Sequence, residues 1–203
     1  MKGYFLAAAI VAVLPSVAQA KVVVVSVSSY ADSASASPAT YKLVPDDSIP
    51  VDGLEFREYA AQIDRMLKGR GWLKADDPDA AQVAVLVSYG IGEPKEHHYS
   101  YSMPVYGQDS WVPIHGQYTT YHRWLKLRAM QLHGAESQKA TESWRIDLAS
   151  DGSVGDLREI FTYLLFAASP YVGQNSGKAL DVKIKMDGKP IRGFQADGGT
   201  DHH

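Results

Sequence analysis

Three segments of this chain alternate apolar and polar residues with a period of two. Leu180, Val182, Ile184 and Met186 are separated by Asp181, Lys183 and Lys185. Trp144, Ile146 and Leu148 are separated by Arg145 and Asp147, and Leu125, Leu127 and Ala129 by Lys126 and Arg128. Successive side chains of a strand point to opposite faces, so each segment predicts a strand with one face in water. Strands of that kind belong to antiparallel sheets, whose other face must be covered. The stretch "HGAESQKAT" between the second and third of these segments carries the turn residues of a hairpin.

The cover is supplied by two segments with helical spacing. Phe56, Tyr59, Ile63, Met66 and Leu67 fall on one helical face, and Asp52 with Glu55 three residues later predicts the N-terminal cap. Gly69 or Gly71 is placed to end that helix, after which Trp72 and Leu73 are expected to fold back on the core. The second helix opens at Asp156, with Glu159 at the third position. Leu157, Ile160, Phe161, Leu164, Leu165 and Ala168 form its buried stripe, and Pro170 stops it. "KVVVVSVSSYA" from Lys21 and "YKLVP" from Tyr41 read as strands. "QVAVLVSYGIG" from Gln82 reads as a strand buried on both faces. The order is β-β-α-β-β-β-α-β, an α+β fold: a largely antiparallel β-sheet with two amphipathic helices packed on one face.

Residues 89–121 stand apart. They hold six of the twelve tyrosines, three of the seven histidines, four glycines and three prolines. They read as a long surface loop without a hydrophobic period, and a structureless segment of that length in a compact domain is either functional or partly strand. Tyr99, Tyr101, Tyr106, Trp111, Tyr118 and Tyr121, with Trp124 beside them, are the candidate ligand-binding residues, since rings with polar tips suit glycans, peptides or apolar surfaces. "YSYS" puts Tyr99 and Tyr101 on one side of an extended segment. His122, Trp124, Lys126 and Arg128 share one face of their strand, where a cation can lie against the indole. His97, His98 and His115 are the candidate metal ligands, with Glu96 as a carboxylate neighbour. Adjacent histidines point to opposite faces of an extended chain, so one ion takes both only on a turn.

The start of the chain predicts its compartment. Lys2 precedes an apolar run from Tyr4 to Leu14, and Ala18-Gln19-Ala20 is a cleavage signal. This is the pattern of a secretory signal peptide over 1–20, too short to span a bilayer. Residues 21–188 are then expected to form a single domain, and 189–203 a mobile tail. No cysteine occurs, which excludes disulfides, thiolate metal sites and thiol nucleophiles. A net charge of −3 argues against a nucleic-acid partner. No later segment is apolar enough to cross a membrane, and no cofactor is expected. The chain contains no H-E-x-x-H, P-loop or G-x-S-x-G motif, and "GIG" at Gly90–Gly92 lacks the third glycine of a dinucleotide fingerprint.

Element order and several short stretches carry a resemblance. They are "TYKLVP", "EYAAQIDRMLKGRGW", "DPDAAQVAVLVSYGIG", the tyrosine-rich segment and "YLLFAASPYVGQNSGKALDVKIKMDG". Together they resemble a bacterial envelope family known only as domain of unknown function 4136. The resemblance implies an α+β domain in the cell envelope and carries over no catalytic residues. Many members of that family look like lipoproteins, whereas here Lys21 stands where the anchoring cysteine would be. The expectation is therefore a periplasmic, non-catalytic binding or assembly module. Its partner would be an envelope component: protein, glycan or lipid. Two alternatives remain. One is a metal-assisted or hydrolytic envelope enzyme using His97, His98 or His115 with Glu93, Glu96 or Asp109. The other is a structural subunit, recognisable by an apolar face left uncovered in the monomer. N-terminal sequencing of the exported protein is expected to begin at Lys21; retention of Met1–Ala20 would refute the signal peptide.

Overall fold

The computed structural model describes residues 21–32, 36–107, 109–132 and 140–186. The expected signal peptide, most of the turn expected between the second and third alternating segments, residues 187–188 and the expected tail lie outside the described residues. The elements are β1 (Lys21–Ala31), β2 (Thr40–Pro45), α1 (Leu54–Gly69), β3 (Leu73–Lys74), β4 (Val83–Ile91), β5 (Lys95–Pro104), β6 (Trp111–Gln131), β7 (Thr141–Gly152), α2 (Leu157–Ala168) and β8 (Leu180–Met186). The main sheet runs β3-β2-β4-β6-β7-β1-β8, and β5 joins it only through β6. β2 is parallel to β3 and β4; every other pairing is antiparallel. The fold is α+β, with both helices on one face of the sheet, as the alternation requires.

The core follows from parity. Val23, Val25 and Val27 of β1, Val83, Val85 and Val87 of β4, Leu125 and Leu127 of β6, and Trp144, Ile146 and Leu148 of β7 are all buried toward the helices. The stripes expected for α1 and α2 are the buried ones. Tyr59 of α1 stacks on Phe161 of α2 at 3.9 Å, and Trp72 meets Trp144 edge-on at 5.7 Å. No helix among the described residues is long and apolar enough to cross a membrane.

Several local expectations change. Gly53 caps α1 and not Asp52, and no side chain bonds its first turn. Asp156 does cap α2, accepting from the Arg158 amide at 2.8 Å. Gly71 takes the left-handed conformation after α1, at φ 86°. Trp72 turns into the core while Leu73 faces solvent. Successive side chains of extended chain point to opposite faces, so Trp72 faces inward just ahead of β3, a two-residue edge strand pairing with Thr40 and Tyr41, and Leu73 faces outward. On its helix side β4 is buried at Val83, Val85 and Val87, but on the other face Leu86 and Ser88 are only half covered. Among the described residues no second layer lies on that side, so the apolar run of β4 reflects a central position and not burial on both faces.

The largest departure is the segment read as a loop. Residues 95–104 and 111–120 pair throughout as an antiparallel ribbon, closed by a turn in which the Val105 amide donates to the Ser110 carbonyl at 3.0 Å. β6 is therefore 21 residues long. Its first half belongs to the ribbon, and its second half lies between β4 and β7 in the main sheet. The alternation in 111–120 is hard to see because tyrosine, threonine, glycine and proline occupy its positions.

Arg123 sits where the ribbon joins the sheet. It points to the helix side and is 2% exposed. Its Nε donates to the Ser150 carbonyl at 3.2 Å, Nη1 to the Val154 carbonyl at 3.1 Å and Nη2 to Ser150 Oγ at 3.0 Å. Burial lowers its pKa, while the Asp151 charge favours the cation. Gly152 leaves the space, since a Cβ there would come 2.8 Å from Nη2. Arg123→Met would leave three acceptors without their donors. Urea unfolding is expected to show a loss of about 2–3 kcal/mol with an unchanged slope.

Candidate functional site

The face of the sheet away from the helices carries the features that sequence reading singled out. β6 keeps one parity along its length, so Val112, Ile114, Gly116, Tyr118, Thr120, His122, Trp124, Lys126 and Arg128 lie on one side. The first five belong to the ribbon, where β5 sets Met103 opposite Val112, Tyr101 opposite Ile114, Tyr99 opposite Gly116 and His97 opposite Tyr118. The result is a row of aromatic and apolar side chains on the ribbon, followed by Thr120 and His122 and then by Trp124 on the open sheet. Tyr99, Tyr101, Met103 and Tyr118 are 47–52% exposed, and nothing in the described chain covers them.

The rings are ordered by contacts within the stripe. His97 stacks on Tyr118 at 4.8 Å and 14°, and its Nε2 lies 2.8 Å from Thr120 Oγ1. Tyr99 and Tyr101 stack at 6.1 Å. Tyr99 leans over Gly116, where any Cβ would collide with its ring. Glycine leaves room there for a neighbour's ring, and its backbone torsion is not left-handed.

On the main sheet, Trp124 forms a ridge. Its indole lies against Gly90 of β4, where a Cβ would come 2.8 Å from the ring, and Lys126 Nζ is 5.4 Å from the ring centroid. This is the cation–π pair that the strand pattern suggests. A groove lies on each side of the ridge. One, of about 410 Å³, is bounded by Val44, Asp46, Leu86, Ser88 and Arg128. The other, of about 430 Å³, is bounded by Ser26, Ser28, His122, Asp147 and Ala149. Small residues on β1, β4 and β7 leave the ridge standing proud. Charged groups line both grooves, Asp46 and Arg128 in one and Asp147 in the other. His122 Nδ1 is 3.0 Å from Asp151 Oδ1, and Asp46 is held below the usual carboxylate range by the Ser48 amide and the Ser88 and Ser48 hydroxyls.

The remaining predicted residues go elsewhere. Trp111 and Tyr121 have the opposite parity; Trp111 is exposed near the turn, and Tyr121 packs over Gly155. Tyr106 stands in the turn, fully exposed. His98 and His115 lie on the ribbon's polar face with Glu96, Ser100 and Gln117, opposite to His97. The three histidines are therefore not brought to one point. Among the described residues no group of three or more His, Cys, Asp or Glu side chains is placed to hold a metal.

A third cavity, of about 490 Å³, opens on the helix side and is lined by Glu55, Tyr59, Tyr89, Asp156 and Arg158. Burial, reinforced by Glu55, pushes the Tyr89 hydroxyl up to about 12 and raises Tyr59 as well. Both stay protonated at neutral pH and can donate hydrogen bonds; neither serves as a base there.

Sequence reading missed Gly90, Gly116, Met103, Val112 and Ile114. Counting parity back from Trp124 through Thr120 and Tyr118 would have found the ribbon positions on β6. Nothing local marks the two glycines, since each is needed by a ring from another strand.

No family model matches the chain, and no curated protein matches it. Solved structures do. One is a PDZ domain protein from Parabacteroides distasonis, at 10% identity and TM-score 0.49 over 81% of this chain. This chain spans 39% of that protein's length. Another is a DUF4136 family protein from Bacteroides thetaiotaomicron, at 16% identity and TM-score 0.41, covering 72% of this chain and 96% of that one. The second belongs to the family that the sequence resembles.

The contact of Trp124 with Gly90 sets the shape of both grooves. Gly90→Ala is expected to cost about 1–3 kcal/mol through overpacking. The penalty should fall in a Trp124→Ala background, so a double-mutant cycle by chemical denaturation should be clearly non-additive. Additive costs would show that the ring does not press on β4.

Proposed function

We propose that this chain is a non-catalytic binding or assembly module of the bacterial cell envelope, working in the periplasm. Its ligand would lie along the open sheet face, from the Trp124 ridge onto the aromatic side of the ribbon. One observation carries the reading: on one side of β5 and β6, Tyr99, Tyr101 and Tyr118 are exposed and Trp124 is half-buried, and Gly116 and Gly90 leave room for the rings of Tyr99 and Trp124. Exposed aromatic groups with polar tips contribute contact area at low cost in side-chain entropy, and the flanking charges can fix orientation. The envelope location is supported by the signal-peptide pattern of residues 1–20 and by the family resemblance.

The enzyme reading finds less support. The ribbon separates His97 from His98 and His115, and the helix-side cavity offers tyrosines held in the protonated form.

The test is retention of the chain by separated envelope fractions: peptidoglycan sacculi, outer-membrane vesicles and soluble periplasmic proteins. Wild-type protein is expected to be retained by one fraction. Trp124→Ala/Tyr118→Ala should lower that retention at least about tenfold while keeping the far-ultraviolet spectrum of the fold, since truncating central aromatic contacts typically costs about 2 kcal/mol or more each. Equal retention of the variant, or retention of wild type by none of the fractions, would sink the proposal.

A further inference from the structure

The ribbon has a second property, which concerns its backbone. β5 pairs with β6 on one side and with no strand among the described residues on the other. Such an edge presents a row of N–H and C=O groups to any strand that reaches it. The other ends of the sheet are blunted. β3 is two residues long, and β8 carries Asp181, Lys183 and Lys185 on alternate positions. The ribbon half of β6 also has a free edge, but Pro113 interrupts it. β5 has no such protection between His97 and Met103: seven residues with neither Asp, Glu, Lys, Arg nor Pro.

The side chains of β5 suit a copy of themselves. His97, Tyr99, Tyr101 and Met103 share one face; His98, Ser100 and Ser102 share the other. An antiparallel pairing about a two-fold axis at Ser100 sets Tyr99 against Tyr101 of the second copy, His97 against Met103, and His98 against Ser102. Moving the axis to Tyr99 sets Tyr99 against Tyr99 and His97 against Tyr101. In either register aromatic meets aromatic or apolar, polar meets polar, and no like charges oppose. Lys95 and Glu96, at the start of β5, meet no charge of the copy. Cross-strand pairs of this kind stabilise a sheet, whereas opposed like charges destabilise it.

We propose that this chain self-associates through β5, edge to edge and antiparallel, into a two-fold dimer whose ribbons form one four-stranded sheet. The tyrosine stripes of the two copies then lie on the same side and continue one another. This inference does not rest on the ligand-binding reading. Single-strand pairing gives an interface at the small end of the range, below about 1,200 Å², so the dimer is weak and concentration-dependent.

The experiment is sedimentation velocity of the purified mature chain, without ligand, from low micromolar to several hundred micromolar. Three samples are compared with wild type. They are Tyr99→Lys/Tyr101→Lys, Tyr99→Glu/Tyr101→Glu, and an equimolar mixture of the two. Wild type is expected to move from monomer to dimer mass as concentration rises. Each variant alone is expected to lose the dimer, because its new charges oppose their own copies in both registers. The mixture is expected to regain it, which also shows that both variants are folded. A wild type that stays monomeric throughout overturns the proposal. So do variants that dimerise like wild type, and so does a mixture that remains monomeric.

Discussion

The structure depends on the strict alternation of one long strand. β6 runs for 21 residues without a change of parity; the irregularity beside Ala129 and Met130 falls on β7, where Ser143 is the extra residue between Glu142 and Trp144. Its even-numbered side chains thus form one surface, from Val112 at the ribbon to Arg128 in the sheet. Its odd-numbered side chains from Arg123 onward enter the core. A single extra residue anywhere between Tyr118 and Trp124 would turn the ribbon's rings to the helix side. Both the candidate binding stripe and the core packing of Leu125 and Leu127 are consequences of that register.

Buried polar contacts hold the junction between ribbon and sheet, beside the packing of Tyr121 over Gly155. Arg123 satisfies the carbonyls of Ser150 and Val154 and the hydroxyl of Ser150, and so ties β6 to the end of β7 and to the approach to α2. In the ribbon, β5 is the one strand among the described residues that pairs with β6. A two-stranded ribbon is marginal in isolation. Here it is anchored at one end by the sheet and supported along one face by ring contacts among His97, Tyr99, Tyr101 and Tyr118. The contacts that stabilise the ribbon and those available to a partner come from the same side chains. Binding or self-association would therefore also stiffen it.

The chain handles its sheet edges unevenly. Charges protect β8 and shortness protects β3, while among the described residues β5 is left open over a centre without Asp, Glu, Lys or Arg. Edge strands with this composition are usually covered or blunted, because an open edge recruits other strands. That contrast within one sheet separates β5 from a merely exposed hairpin.

The sequence by itself determined the elements whose side chains follow a plain period. The stripes of α1 and α2 and the alternating cores of β7, β8 and the second half of β6 were legible, because burial of one face imposes that period on apolar residues. It also showed that Tyr99 and Tyr101 share a side and that Trp124 sits beside Lys126. Tertiary structure alone decided the rest. Residues 95–120 form a ribbon because two weakly patterned segments complete each other's hydrogen bonds, a pairing that neither segment signals alone. Gly90 and Gly116 are needed by rings on neighbouring strands, and Arg123 is buried because carbonyls from β7 and the loop after it converge on it. The histidines are parted because extended chain sends His97 to one face and His98 to the other. Local sequence fixes which way a side chain can point relative to its neighbours; only the pairing of distant strands fixes what it meets.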